Sequence, residues 1–312
     1  MKLRVAALLS AALLAACAER PRATGPATPP PPPGRPITPP PPRIVAADQF
    51  GLTGEMTQGT LLRGVAPVGT ALLMLDGRPV KVAPDGRFII GFGRDFPDHA
   101  TLEARLQDGR LLRLPLAISK RAWDISRLPT IYMSPKPSPE YQRIRAAELV
   151  QINAAKALNA ATDGWRQPML WPTTGRISTL FGSQRIYAGG VEGAFHGGMD
   201  IARPTGTVVR APADGVVALA TERPFSLEGN LVMIDHGFGL ISALMHLSRI
   251  DVRTGDHVRR GDVIGLVGMT GRATGPHLHW GLTWYGERLD PLLVAGPMPA
   301  AALPSAPSRA GE

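Results

Sequence analysis

Between Asp48 and Pro135 the dipeptide Asp-Gly recurs as Asp76-Gly77, Asp85-Gly86 and Asp108-Gly109, each followed by arginine and flanked by apolar or alternating runs. A segment punctuated this way cannot sustain long helices. Asp-Gly favours tight turns with positive φ, whose twist joins neighbouring antiparallel strands. ALLMLDGRPVKV, VKVAPDGRFIIGF and LEARLQDGRLLRLPLAI therefore read as three hairpins with primed turns, and residues 46–135 as a small all-β domain, a sandwich or barrel. No residue cluster in it suggests chemistry, so spacer and binding module both remain open.

A connecting helix is expected over residues 138–163. Ser138 is a good N-cap, Pro139 suits the first helical position, and Glu140 suits the positive helix end. An Ala- and Leu-rich run follows, and Asp163-Gly164 is the expected stop. Over residues 165–295 the composition turns to Gly-rich short strands such as TVVRAPADGVVALA, NLVMIDHGFGLISALMHL and DVIGLVGMTG. Alternation with frequent turn glycines predicts a compact sheet with little helix, and the fold class is mostly β. The Pro- and Ala-rich residues 296–312 read as a disordered tail.

Residues 1–16 combine Lys2 and Arg4 with an apolar run from Val5 to Ala16, too short to span a bilayer of roughly 30 Å and shaped like an export signal. Leu14-Ala15-Ala16-Cys17 is similar to a bacterial lipobox, which makes Cys17 the lipidation site. An ordinary signal peptide that happens to contain cysteine is the alternative. Ala18 after the cysteine, by analogy with enterobacterial sorting, favours the outer membrane, with the chain facing the periplasm. Residues 17–45 form a tether: twelve of the 22 residues from Pro21 to Pro42 are proline. Such a segment favours extended polyproline at about 3.1 Å per residue.

Cys17 is the single cysteine, so disulfides within the chain and cysteine-based zinc modules are excluded. The formal net charge of +9 becomes +7 without Lys2 and Arg4. It suits anionic envelope polymers or lipid headgroups, or simply a solvated Arg-rich surface. With an export signal and 5% aromatic residues, no nucleic-acid partner is expected.

Only seven histidines are present, yet GPHLHW places His277 and His279 one residue apart after a Gly-Pro turn. On a strand, residues i and i+2 share a face, so the two imidazoles would lie side by side. The pair alone is equally two polar residues on a wet face. FHGGMD adds His196 and Asp200, four residues apart in a glycine-broken segment that is extended rather than helical. Two such segments could present His, Asp and His to one point, and three ligands with one open position is the pattern of catalytic zinc. His246, just after an apolar strand, is a further candidate.

FGSQR at Phe181–Arg185, HGGMD at His196–Asp200, APADGVV, GNLVMIDHG, MHLS, GDHVRRGDVIG and TGRATGPHLHW together resemble the lysostaphin/LytM-type zinc endopeptidases of bacterial cell walls, from roughly Trp171 to Pro291. The resemblance implies Zn²⁺ held by His196, Asp200 and His279, with His246 and His277 as catalytic histidines. It implies hydrolysis of peptide cross-links in peptidoglycan. For a lipobox protein these are D-alanyl–diaminopimelate bonds. No HExxH glutamate is present, so a histidine must handle the proton, and its ordinary pKa near ~6.5 suits that task. Leu244 stands where family members often carry tyrosine. Tyr187 is either an oxyanion-stabilising tyrosine, as in some relatives, or a packed or exposed aromatic. His236 reads as a structural histidine, and His257 and His99 as solvated loop residues.

Two rival readings follow. Some relatives have lost zinc ligands and activate cell-wall amidases instead; here the ligands survive, although an amidase or divisome partner is compatible with the chain. VRTGDHVRRGDVIGLVG also resembles a biotinyl or lipoyl hairpin, but the last lysine is Lys156, so no lysine could carry such a cofactor.

Overall fold

Alternation and turn chemistry dictate most of the elements. The computed structural model describes residues 49–132 and 137–299. Residues 1–48, with the expected export signal 1–16, Cys17 and the expected tether 17–45, and residues 300–312 of the expected tail lie outside the described residues. All described residues belong to one compact unit.

The N-terminal region holds β1 (Leu61–Val65), β2 (Thr70–Leu75), β3 (Arg78–Val80), β4 (Arg87–Gly91), β5 (His99–Leu106), β6 (Leu111–Ala117) and β7 (Ile125–Leu128). Strands β3-β2-β5-β6 form one sheet and β1-β4 another. Of the three expected hairpins, two form. Asp76 and Gly77 both take positive φ (47° and 75°), the primed turn that joins β2 to β3. At the β5–β6 turn only Gly109 is left-handed (86°), so this turn is not primed. Asp85-Gly86 closes no hairpin. Its local turn sends β4 to pair with β1, because Phe88 and Ile90 are needed in the core beside Leu62.

Helix α1 (Pro139–Ala157) starts as expected, the Ser138 side chain accepting from the Tyr141 N–H. It ends six residues before Asp163, because Leu158 turns extended and the next segment is captured elsewhere. The Ala160 N–H donates to Asp235 Oδ2 at 2.8 Å, and the Trp165 N–H donates to the His236 carbonyl at 2.8 Å.

The C-terminal region continues with β8 (Arg176–Thr179), β9 (Gln184–Tyr187), β10 (Gly198–Ala202), β11 (Val208–Arg210), β12 (Gly215–Ala220) and β13 (Asn230–Asp235). Then come β14 (Leu240–Leu247), β15 (Arg249–Ile250), β16 (His257–Val258), β17 (Val263–Leu266), β18 (His277–Trp284), β19 (Glu287–Leu289) and α2 (Pro291–Ala295). The main sheet runs β16-β12-β13-β14-β18-β10-β8, with β19 beside β18. One face packs into a core that continues unbroken into the N-terminal region, from Phe50, Phe88 and Leu102 to Met199, Leu244, Leu278 and Trp280. On the opposite face, Ile152 and Ala155 of α1 pack with Leu219, Leu231, Met233 and Ile241. The helix therefore covers part of that face, and β10, β18 and the end of β14 form the remainder.

Candidate metal centre

Strand parity builds the site. Leu278, Trp280 and Leu282 of β18 are fully buried in the core, so His277, His279 and Gly281 point to the opposite face. On β10, Met199 and Ile201 are buried and Asp200 points with the histidines. The antiparallel register sets Asp200 directly across from His279, where facing side chains lie closest. His196 lies two residues before β10. Glycine is required at 198, where a Cβ would stand 2.5 Å from the Trp280 carbonyl and 2.6 Å from His279 Nε2; at 197 a Cβ would only press on the Arg288 side chain, 3.1 Å from Nη1.

His246 breaks parity. Leu240 and Leu244 of β14 are buried in the core, and strict alternation would send His246 after them. Instead His246 takes a left-handed φ of 63°, uncommon for a residue with a Cβ, and its N–H leaves the ladder for the Glu228 carbonyl at 2.9 Å. Its ring reaches the other face, with centroids 4.7 Å from His277 and 6.2 Å from His279. The structure thus brings all five predicted residues together.

Three atoms converge. His196 Nε2 lies 3.0 Å from Asp200 Oδ1 and 3.0 Å from His279 Nδ1, and His279 Nδ1 lies 2.8 Å from Asp200 Oδ1. Among the described residues this trio is the one group arranged to hold a metal ion. Three further ring nitrogens are committed to carbonyls, which can only accept. His196 Nδ1 meets the Leu180 carbonyl at 3.0 Å, His246 Nδ1 that of Thr270 at 2.8 Å and His277 Nδ1 that of Gly275 at 2.8 Å. Each neutral ring therefore keeps its lone pair on Nε2.

The electrostatics fit. Burial opposes ionisation of Asp200, but the adjacent His196 and His279 imidazoles outweigh it and hold the carboxyl far below the ordinary carboxylate range. Burial, followed by the bond to Thr270 acting the other way and by nearby histidines, lowers the His246 imidazole to about 4. Burial also depresses His279.

The remaining candidates fall elsewhere. His236 is fully buried, bonded to the Asp214 carbonyl (2.8 Å) and Ser242 Oγ (2.9 Å). His99 and His257 are exposed, but on strand ends rather than in loops. Leu244 is fully buried opposite Trp280, so it faces the core and not a groove. Tyr187 lies on β9, paired in parallel with Leu128 of β7. The carbonyls of Leu180, Thr270 and Gly275 escaped the sequence reading, because a backbone acceptor carries no residue signature.

Residues 194–291 match peptidase family M23. The chain is 42% identical over 123 residues to the peptidoglycan DD-endopeptidase ShyA of Vibrio cholerae, covering 39% of this chain. It is 44% identical over 124 residues to the DD-carboxypeptidase/endopeptidase Mpg of Neisseria meningitidis, covering 40% of this chain. In each case the match spans 28% of the relative's own length. A crystal structure assigned to peptidase M23 from Pseudomonas aeruginosa superposes with a TM-score of 0.59 at 28% identity, over 78% of this chain and 96% of that one.

Proposed function

Residues 194–291 being a domain of peptidase family M23, we propose that this protein is a zinc-dependent endopeptidase that hydrolyses peptide cross-links of peptidoglycan, the D-alanyl–diaminopimelate bond among them. The observation that carries this reading is the convergence of His196 Nε2, Asp200 Oδ1 and His279 Nδ1. With its Nδ1–H given to Leu180, a neutral His196 turns a bare lone pair toward a carboxylate oxygen 3.0 Å away. Such a contact is repulsive unless a proton or a cation lies between. Two imidazoles and one carboxylate, with no thiolate, suit zinc with an open position. The ShyA and Mpg resemblances support the substrate class.

His196, Asp200 and His279 would hold the ion. When bound, zinc supplies Lewis acidity toward water and toward the scissile carbonyl. Thr270 and Gly275 fix the orientation of His246 and His277 and leave Nε2 of each as the nitrogen that takes up or delivers a proton. In its protonated form the same nitrogen can donate to a developing oxyanion. Side chains of the five residues are between 7 and 19% exposed, which limits water around the reacting groups. The lipobox-like run ending at Cys17 supports a lipid-anchored location in the envelope, facing the periplasm.

Incubation with purified sacculi, with and without a zinc chelator, tests the reading. Separation of the released muropeptides should show chelator-sensitive loss of cross-linked dimers, and no loss with Asp200→Ala. Unchanged dimers from protein that holds zinc would overturn the hydrolytic reading and favour activation of cell-wall amidases.

A further inference from the structure

His196 is the ligand least supported by regular structure, since it precedes β10 by two residues. A single turn, residues 180–184, holds it with three hydrogen bonds. The His196 N–H donates to the Ser183 carbonyl (2.8 Å), the Gly182 N–H donates to the His196 carbonyl (2.9 Å), and His196 Nδ1–H donates to the Leu180 carbonyl (3.0 Å). The turn is clamped in its own right from the N-terminal region. Arg94, in the loop between β4 and β5, donates from Nε to the Gly182 carbonyl (3.1 Å) and from Nη2 to Gln184 Oε1 (2.9 Å). Its charge is balanced by Asp95 Oδ1 at 2.6 Å on Nη1.

Aromatic rings fix the guanidinium. It lies over the ring of Phe195, the residue before His196 (4.9 Å), and over Trp123 from the segment after β6 (5.2 Å). Phe181, inside the turn, packs edge-on against both rings. Gly182 permits the approach, because its φ is +80° and a Cβ there would stand 2.2 Å from Trp123 Cε3. Arg94 is 9% exposed, so these bonds form away from bulk water, where a directed charged donor counts most.

We infer that the N-terminal β region is part of the metal centre's support, and that Arg94 is a positioning residue that fixes His196 through the 180–184 turn. The region outside residues 194–291 thereby acquires a role that neither spacer nor separate binding module describes. The inference rests on reading His196, Asp200 and His279 as metal ligands.

The test uses the full chain, stripped of metal and then titrated with zinc against a chromophoric chelator and with cobalt(II), whose visible absorption reports ligand geometry. Arg94→Met keeps an apolar stem and removes the donors. It should weaken zinc binding about 10- to 100-fold, the usual cost of losing an outer support of a ligand, and alter the cobalt spectrum. Arg94→Lys should recover only part of this, because an ammonium cannot supply two fixed, divergent bonds. Arg121→Met is the control. Arg121 crosses the same junction, to Asp290 Oδ2 at 2.8 Å and over Trp123 at 4.6 Å, with hydrogen bonds to Gln58 and Asp290 rather than to the 180–184 turn. It should lower Tm yet leave zinc affinity and spectrum unchanged.

Parent-like affinity and spectrum in folded Arg94→Met would overturn the inference, as would an equal loss in Arg121→Met. Should Arg94→Met not fold, Arg94→Lys decides by the same readings. A parent chain that binds neither zinc nor cobalt overturns the metal reading itself, and a parent that binds both beside an indifferent Arg94 variant overturns only the role of Arg94.

Discussion

Strand β5 of the N-terminal region and strand β18 of the C-terminal region obey the same alternation with different results. Ala100, Leu102, Ala104 and Leu106 of β5 are buried, as are Leu278, Trp280, Leu282 and Trp284 of β18. The outward residues of β5 meet sequence or cross-strand neighbours, as Glu103 does with Arg113 at 2.5 Å. Those of β18 meet side chains from two other segments, because Gly197 and Gly198 leave space beside β10 and His246 departs from parity. A regular strand makes a two-faced surface; chemistry arises where neighbours depart from the rule in a concerted way.

The largest way to break this comparison is at His246. Asparagine tolerates left-handed φ better than most residues, so His246→Asn should keep the backbone while deleting the imidazole. Hydrolysis of sacculi should fall about 10²- to 10⁴-fold, the usual contribution of a positioned acid or base. Zinc affinity and Tm should stay close to the parent's. Undiminished turnover would remove His246 from the chemistry and leave His277 alone with the proton.

Much of this was legible in advance, for identifiable reasons. His277, His279 and Asp200 could be placed on one face from parity alone, because strands impose a period of two regardless of context. The Ser138 cap is a local event, and the sequence marks it. The helix stop at Ala157 rather than Asp163 was not legible, since it depends on Asp235 and His236 capturing Ala160 and Trp165 from 71 or more residues away. The failed hairpin at Asp85-Gly86 has a similar origin: the turn forms, but burial of Phe88 and Ile90 selects β1 as the partner of β4. Arg94 was invisible because its work is done on backbone and on an amide 90 residues away. Non-local backbone contacts leave no residue pattern to read.

A second comparison contrasts two buried histidines of the same sheet. His246 leaves Nε2 free on the open face, whereas His236 has both nitrogens bonded within the protein. Burial, opposed in part by the Asp214 carbonyl, lowers the His236 imidazole to about 4. The unfolded chain takes up a proton near pH ~6.5 that the folded chain excludes until about pH 4. Stability is therefore complete above ~6.5 and declines as pH falls toward 4, by about 3 kcal/mol from this residue. Urea unfolding with metal chelated, at pH 7.5 and 4.5, should show a shallower loss in His236→Gln than in the parent. Equal losses would mean that other groups carry the acid sensitivity.

The smallest expected effect compares two glycines. Gly109, at the β5–β6 turn, has φ of +86° and open space where a Cβ would go. Gly109→Ala should cost about 1 kcal/mol from backbone strain alone and leave zinc binding unchanged. Gly198 has no positive φ, but a Cβ would meet the Trp280 carbonyl at 2.5 Å and His279 Nε2 at 2.6 Å. Relieving the first contact disturbs the β10–β18 ladder and relieving the second displaces the His279 ring, so both changes bear on the ligand. Gly198→Ala should therefore weaken zinc binding about 10- to 100-fold, as displacement of a ligand's support does. Zinc titration of both variants decides the matter. If Gly198→Ala binds zinc as the parent does, the His279 ring is held from the β14 side, and the glycine pair in HGGMD serves the approach of Arg288 to Gly197.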